Sequence, residues 1–270
     1  MSRHASVTVV GMFVLLALAT TSWAQPIVGV LGIASEVIAV ERRLQDSREV
    51  TVRGHVFRVG TLNGRRVTVG RSGTGKVNAA IVATLLISHF GPAAMFFSGT
   101  AGAIDETLYP GDVVIGTAVA QHDTGVLTAA GIERRGLRDP VTGERDPILR
   151  PAPEALLTAA RAAVAGLTLP PAAAGGRVPK IIEGVIVTGD MFISDAARRD
   201  ELRASLGAAA VEMEGAAVVQ ACRQFAVPCL VIRSITDRAD GLATDNYERY
   251  RPAASENAAA VVAATIAAMR

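Results

Sequence analysis

The stretch VEMEGAAVVQACRQFAVPCLVIRSITDRAD, Val211 to Asp240, decides the fold. Glu212, Met213 and Glu214 open an amphipathic run carrying Ala216, Ala217, Val218, Ala221, Cys222 and Phe225, a spacing that predicts a helix. Cys229, Leu230, Val231 and Ile232 then form a short apolar strand that ends at Ser234-Ile235-Thr236-Asp237. Two acids stand at the edges of this helix-strand unit: Glu214 at the helix start, and Asp237 just past the strand, where open α/β sheets bind their ligands. Taken singly, each acid reads first as structural, Glu214 capping the helix N-terminus and Asp237 beginning a polar turn. The rest of the chain reverses that order.

Upstream and downstream the pattern alternates strand and helix. Strands are predicted at 27–32, 94–98, 113–120 and 181–188, and helices at 35–44, 76–90, 154–165, 195–206 and 253–269. Segments 56–62 and 66–71 pair around Asn63-Gly64, a strong hairpin signal. Segment 121–153 is polar and rich in Gly and Arg and reads as one long functional loop. No linker marks a second domain. The pattern predicts a single α/β domain with a mixed, mostly parallel central sheet and helices on both faces.

At the N-terminus, Arg3 and His4 precede an apolar run from Val7 to Ala19 and the small-x-small triplet Ser22-Trp23-Ala24. That is the layout of a secretory signal peptide, 1–24, with the mature chain starting at Gln25. The run is too short for a membrane-spanning helix, so the chain is read as exported, periplasmic or secreted. The catalytic domain would be 25–270, long enough for a full core. With 27 basic against 25 acidic residues the surface is too evenly charged to track phosphates, which argues against a nucleic-acid partner. Only four histidines occur, without His-x-x-x-His or Cys-x-x-Cys spacing, so no metal site is expected. In an exported chain Cys222 and Cys229 could form a disulfide, but their placement on a helix and in an apolar strand favours buried thiols.

Three glycine-bearing segments follow strands: Ser72-Gly73-Thr74-Gly75, Gly99-Thr100-Ala101-Gly102 and Gly189-Asp190-Met191-Phe192-Ile193. None fits a dinucleotide fingerprint or a P-loop. Together with Glu212-Met213-Glu214 and Ser234-Ile235-Thr236-Asp237, however, they resemble the nucleoside phosphorylase and hydrolase superfamily, most closely the methylthioadenosine/S-adenosylhomocysteine nucleosidases. The resemblance runs from about Ile27 to the C-terminus, and its most specific pieces are GDMFI, VEMEG and SITDRAD in that order.

The resemblance implies a nucleoside phosphorylase-like fold and hydrolysis of the N-glycosidic bond of a purine nucleoside, 5′-methylthioadenosine or S-adenosylhomocysteine, releasing adenine. Breaking that bond creates a cationic ribosyl centre and a leaving purine that needs a proton, so the chemistry wants an acid, a water-positioning base and anchors for the ribose. By the resemblance, Asp237 serves the purine N7 and Glu36 positions the attacking water. Glu214 holds the ribose hydroxyls beside Met213, Phe192 stacks on the base, the Ile193 backbone reads its edge, and Thr100, Ala101 and Gly102 line sugar and base. Glu36 is the weakest of these, since Gly32-Ile33-Ala34-Ser35-Glu36 lacks the run of acids usual there. The resemblance further implies a homodimer, water as co-substrate and no metal or organic cofactor.

Superfamily phosphorylases carry a phosphate-binding arginine two residues before the glycine of the second segment; here that residue is Phe97, which favours hydrolysis. Should phosphate nevertheless be used, Arg71 is the first cation to consider. His122-Asp123 fits the nucleosidase pattern, whereas Val126 to Gly131, with Ala129 and Ala130, lacks the aromatic that typical members send across the dimer interface onto the 5′ group. Arg134, Arg135 and Arg138 read as a solvated face, or as cations near a charged 5′ group. The alternatives are a nucleosidase for another purine nucleoside and an exported, non-catalytic nucleoside-binding or storage protein.

Overall fold

A computed structural model describes residues 26–129 and 131–269. The expected signal peptide, Gln25 and Ala130 lie outside the described residues. In chain order the elements are β1 (Val28–Gly32), α1 (Ala34–Glu41), β2 (Gln45–Val52), β3 (His55–Leu62), β4 (Arg65–Arg71), α2 (Lys76–Phe90), β5 (Ala94–Ala103) and β6 (Val113–Gln121). They continue with β7 (Gly125–Thr128), β8 (Gly131–Arg134), β9 (Arg150–Pro151), α3 (Glu154–Val164), β10 (Ile181–Thr188), α4 (Ala196–Leu206), β11 (Ala208–Glu212), α5 (Gly215–Gln224), β12 (Cys229–Asp237) and α6 (Ala243–Ala268). No helix among the described residues is long and apolar enough to cross a membrane.

The main sheet has the order β11-β10-β6-β12-β5-β1-β4-β3-β2. β1, β5 and β12 are buried along their whole length, as strands covered on both faces must be. Phe96 and Phe97, neighbours on β5, belong to opposite sides. Phe96 packs in the core beneath α1, α3 and α6 with Val37, Leu156 and Val262, and Phe97 in the core beneath α2 and α5 with Leu86 and Val218. The sheet is a mixed one: β6 runs antiparallel to β12, and β2–β3–β4 is an antiparallel meander.

One pairing sets the geometry of everything that follows. The end of β5 is hydrogen-bonded in parallel to β12 and, at Gly102 and Ala103, antiparallel to Val211 and Ala210 of β11. Strands β5, β12, β6, β10 and β11 therefore close into a ring. The glycine segment 99–102, expected as a loop after a strand, is instead the second half of β5, because two neighbours hold it extended. The acids ending β11 and β12 are brought to the same rim.

Other departures have local causes. β2 was not expected: its QDSREVTV sequence is mostly exposed and has no apolar period, and only backbone pairing to β3 makes it a strand. Segment 121–153 contains the β7–β8 hairpin and the short β9. Helix α6 begins ten residues before the expected 253, running through Pro252. The short β11 was not expected either, since its Ala208-Ala209-Ala210 carries little strand preference and its pairing partners are distant in sequence.

The β3–β4 turn is as expected. Asn63 (φ 49°) and Gly64 (φ 77°) both take left-handed backbone, the two-residue turn that matches strand twist. A β-carbon on Gly64 would meet nothing within 4 Å, so Gly64→Ala tests backbone strain alone. It should lower unfolding free energy by about 1 kcal/mol, read from the urea midpoint at unchanged slope.

Candidate active site

Around the rim of the ring lies a cavity of about 250 Å³, lined by Ile33, Glu36, Thr74, Thr100, Ala101, Gly102, Phe192, Val211, Glu212, Met213, Glu214, Thr236, Asp237 and Tyr247. All the residues assigned by sequence are among them except Ile193, which is buried in an adjoining recess with Gly102, Val211 and Asp237. Segments more than 200 residues apart, from Ile33 to Tyr247, thus meet in one place.

At its floor sits a charged cluster built on Arg233, a residue of β12 that is 1% exposed. Its guanidinium hydrogen-bonds Glu212, lies 3.3 Å from Glu214 and 3.5 Å from Glu36, and rests on the Phe97 ring at 4.2 Å from the centroid. Burial works against the charge, but Glu212, Glu214 and Glu36 outweigh it and hold the Arg233 pKa above its ordinary value. Gly99 is required here for space: a β-carbon would lie 2.1 Å from both an Arg233 nitrogen and a Glu36 oxygen. Phe97 thus lays an aromatic floor under an arginine whose two terminal nitrogens are taken up by carboxylates.

Each carboxylate has a distinct setting. Glu36, in the first turn of α1, accepts from the Thr100 N–H at 3.0 Å and from the Thr100 hydroxyl. Burial raises its pKa, opposed by Arg233 and by these two donors. Glu214 occupies the N-cap position of α5 but makes no capping bond; it accepts from the Gly75 N–H at 2.8 Å instead. The cap is Glu212, which accepts from the N–H groups of Glu214 and Gly215 and from the Thr188 hydroxyl. Burial, and then the nearby Glu212, push Glu214 up to about 7.

Asp237, the last residue of β12, accepts from the Thr236 hydroxyl at 2.7 Å and the Ala239 N–H at 2.9 Å. Burial raises its pKa against these bonds, and no cation opposes the shift. Gly102 faces it, where a β-carbon would lie 2.8 Å from its oxygen. Across the cavity Phe192 meets Tyr247 edge to face, ring centroids 5.9 Å apart. Burial followed by the Glu36 charge push the Tyr247 hydroxyl up to about 12.

A polar latch joins the three segments above the floor. The Lys76 ammonium is 2.7 Å from Asp123, whose other oxygen accepts from the Asp190 N–H, and Asp190 accepts from the Lys76 N–H. His122 is buried beside it, its ring close beneath Gly189 and 3.3 Å from Arg198; burial brings its pKa down to about 4 and it is neutral. Arg134 is not on a solvated face: it forks onto Glu201 and donates to the His122 carbonyl, pinning the β7–β8 hairpin to α4. Arg135 pairs with Glu133 at the surface, and Arg71 is held by both oxygens of Glu41, so neither is a free cation. Among the described residues no cluster of His, Cys, Asp and Glu is arranged to hold a metal.

The model of the phosphorylase superfamily matches residues 26–267. The chain belongs to that superfamily. Within it, the 5′-methylthioadenosine/S-adenosylhomocysteine nucleosidase of Shewanella sediminis (strain HAW-EB3) is 38% identical over 241 residues, covering 88% of this chain and 98% of the relative. This places the chain in the nucleosidase family. The crystal structure of the Colwellia psychrerythraea nucleosidase in complex with adenine superposes with a TM-score of 0.79 at 32% identity, over 91% of this chain and 96% of that one. The futalosine hydrolase of Helicobacter pylori superposes with 0.75 at 28% identity, over 89% and 97%.

Sequence reasoning missed Arg233, Glu212 as the helix cap, and Tyr247. Arg233 had a signal, a lone arginine inside the apolar CLVIRSI strand, which a buried strand tolerates only when carboxylates await it. Glu214 supplies a test of the cluster. Its folded pKa of about 7 lies above the ordinary 4.5, so the folded chain favours the protonated form. The contribution to stability is complete below the ordinary value and is lost as pH rises through about 7. Glu214→Gln should therefore gain stability relative to the parent by about 3 kcal/mol between pH 4 and pH 8, followed by urea unfolding at each pH.

Proposed function

We propose that this protein hydrolyses the N-glycosidic bond of an adenine nucleoside of the 5′-thioadenosine class, releasing adenine and a free sugar. The observation that carries this reading is the grouping of Glu36, Glu214 and Asp237 around one cavity in three unlike environments. Asp237, whose pKa burial raises with no cation to oppose it, supplies the proton to the leaving purine at N7. Glu36, fixed by Thr100 and Arg233, positions and activates the attacking water. Glu214, beside Met213, accepts from the ribose hydroxyls. Three glutamates share the single cation Arg233, so the floor presents carboxylate oxygens where an oxocarbenium-like ribosyl centre develops.

Phe192 and Tyr247 provide the aromatic walls, Phe192 stacking on the base, while the Ile193 backbone reads its edge and Thr100, Ala101 and Gly102 form the wall behind sugar and base. A binding protein would gain nothing from a buried carboxyl with no cation to pair it. The absence of an aromatic in the described part of 126–131, together with the likeness to a futalosine hydrolase, favours wide tolerance at the 5′ position. A second copy of the chain would cover the outward-facing Val77, Ile81 and Leu127, consistent with a homodimer.

A panel of 5′-substituted adenosines, with and without phosphate, is the decisive assay. Adenine should be released from several members at rates within about tenfold of one another, a spread of about 1.4 kcal/mol. The sugar product should be unphosphorylated even in phosphate buffer; a ribose 1-phosphate would overturn the hydrolytic reading. Asp237→Asn should cut turnover by roughly 10²- to 10⁴-fold with unchanged unfolding.

We also propose export, on the charged, apolar and small-x-small order of residues 1–24. Mass spectrometry of protein recovered outside the cytoplasm should find Gln25 first. Mature protein retaining Met1 would refute it.

A further inference from the structure

Cys222 lies in the last turn of α5 and Cys229 opens β12. Between them the chain reverses tightly: the Cys222 carbonyl accepts from the Val227 N–H at 2.9 Å, and Ala226 takes left-handed backbone at φ 54°. The reversal lays the strand against the helix, so both cysteines share one core cluster, 1% and 4% exposed. Cys222 is the neighbour that most strongly perturbs the Cys229 thiol. They are the only two cysteines in the chain.

We propose that Cys222 and Cys229 form an oxidation site, closing an intrachain disulfide between α5 and β12 on exchange with a small-molecule disulfide. A disulfide needs β-carbons about 3.5–4.5 Å apart, and two thiols packed in one cluster across a tight helix-to-strand reversal have little further to move. The exchange balances. One cysteine thiolate attacks the disulfide of oxidised glutathione and releases one glutathione thiol. The second cysteine thiolate then displaces the other, so one disulfide bond breaks as one forms, and the two thiol protons pass to the released thiolates.

The surroundings set where the step is fast. The Cys222 neighbour and burial raise the Cys229 thiol well above its ordinary value, so the folded chain presents little thiolate. A cavity of about 290 Å³ opens beside Cys229 between Pro151, Val219, Arg223 and Val227, giving a route for a small disulfide, but a slow one. Oxidation during folding, before α5 covers β12, is the faster path. The cross-link would lie eight residues beyond Glu214 on one element and eight before Asp237 on the other. It fastens the supports of both acids without touching the cavity.

Full-length protein, unfolded under reduction and refolded in a glutathione redox buffer, tests this. Trypsin cuts after Arg223, between the cysteines, so a digest without reductant should yield 204–223 linked to 224–233. Both thiols should be lost from a titration in denaturant. Melting should rise by about 5 °C relative to the reduced protein, with turnover unchanged. Cys229→Ala and, independently, Cys222→Ala should each abolish the oxidant-dependent rise. Already folded, reduced protein should couple at least tenfold more slowly. Two thiols still titrating after oxidative refolding, or glutathione adducts and interchain cross-links in place of the linked peptides, would overturn the proposal.

Discussion

A guanidinium enclosed on all sides is the constraint from which the site's architecture follows. Removing Arg233 from water is costly, and only near carboxylates make that tolerable. They must come from three elements: Glu36 from α1, Glu212 from the end of β11 and Glu214 from the start of α5. Each then has a second attachment, to Thr100, to the α5 amides and to Gly75 respectively. The aromatic ring beneath and the bare backbone of Gly99 leave the group no other place to go. Charge, in this protein, does the work of fixing geometry at a point where apolar packing would leave no chemistry.

Why the carboxylates differ follows from the same arrangement. Burial raises all three, but Arg233 opposes the rise at Glu36 and Glu214, whereas only a hydroxyl and an amide oppose it at Asp237. Three groups with nearly equal intrinsic acidity thus meet the same burial with different partners.

Much of this was legible in the sequence because it is local. The strands 27–32, 94–98 and 181–188 and the helix 76–90 announce themselves by period, and VEMEG and SITD carry their acids at fixed spacing. What escaped depends on partners distant in the chain. β2 and β11 are strands because of their neighbours, and the glycines of 99–102 look like a loop until β11 is seen to pair with them. By local pattern Glu214 is the helix cap, and only the direction of the α5 amides gives that place to Glu212 and leaves Glu214 to the pocket wall. Tyr247 sits on a helix that Pro252 appeared to delay.

The closed ring of five strands has a last consequence. Thr100 to Gly102 belong to a strand held from both sides, whereas Phe192 stands half-exposed on a segment outside any helix or strand, facing Tyr247 near the beginning of α6. The cavity is thus a vice with one fixed jaw and one adjustable jaw. Asp237 rides on the fixed jaw beside Thr100 to Gly102, and the aromatic pair on the other. On the proposed function, redrawing a few aromatic residues at the mouth would change what is accepted and leave the carboxylates where they are.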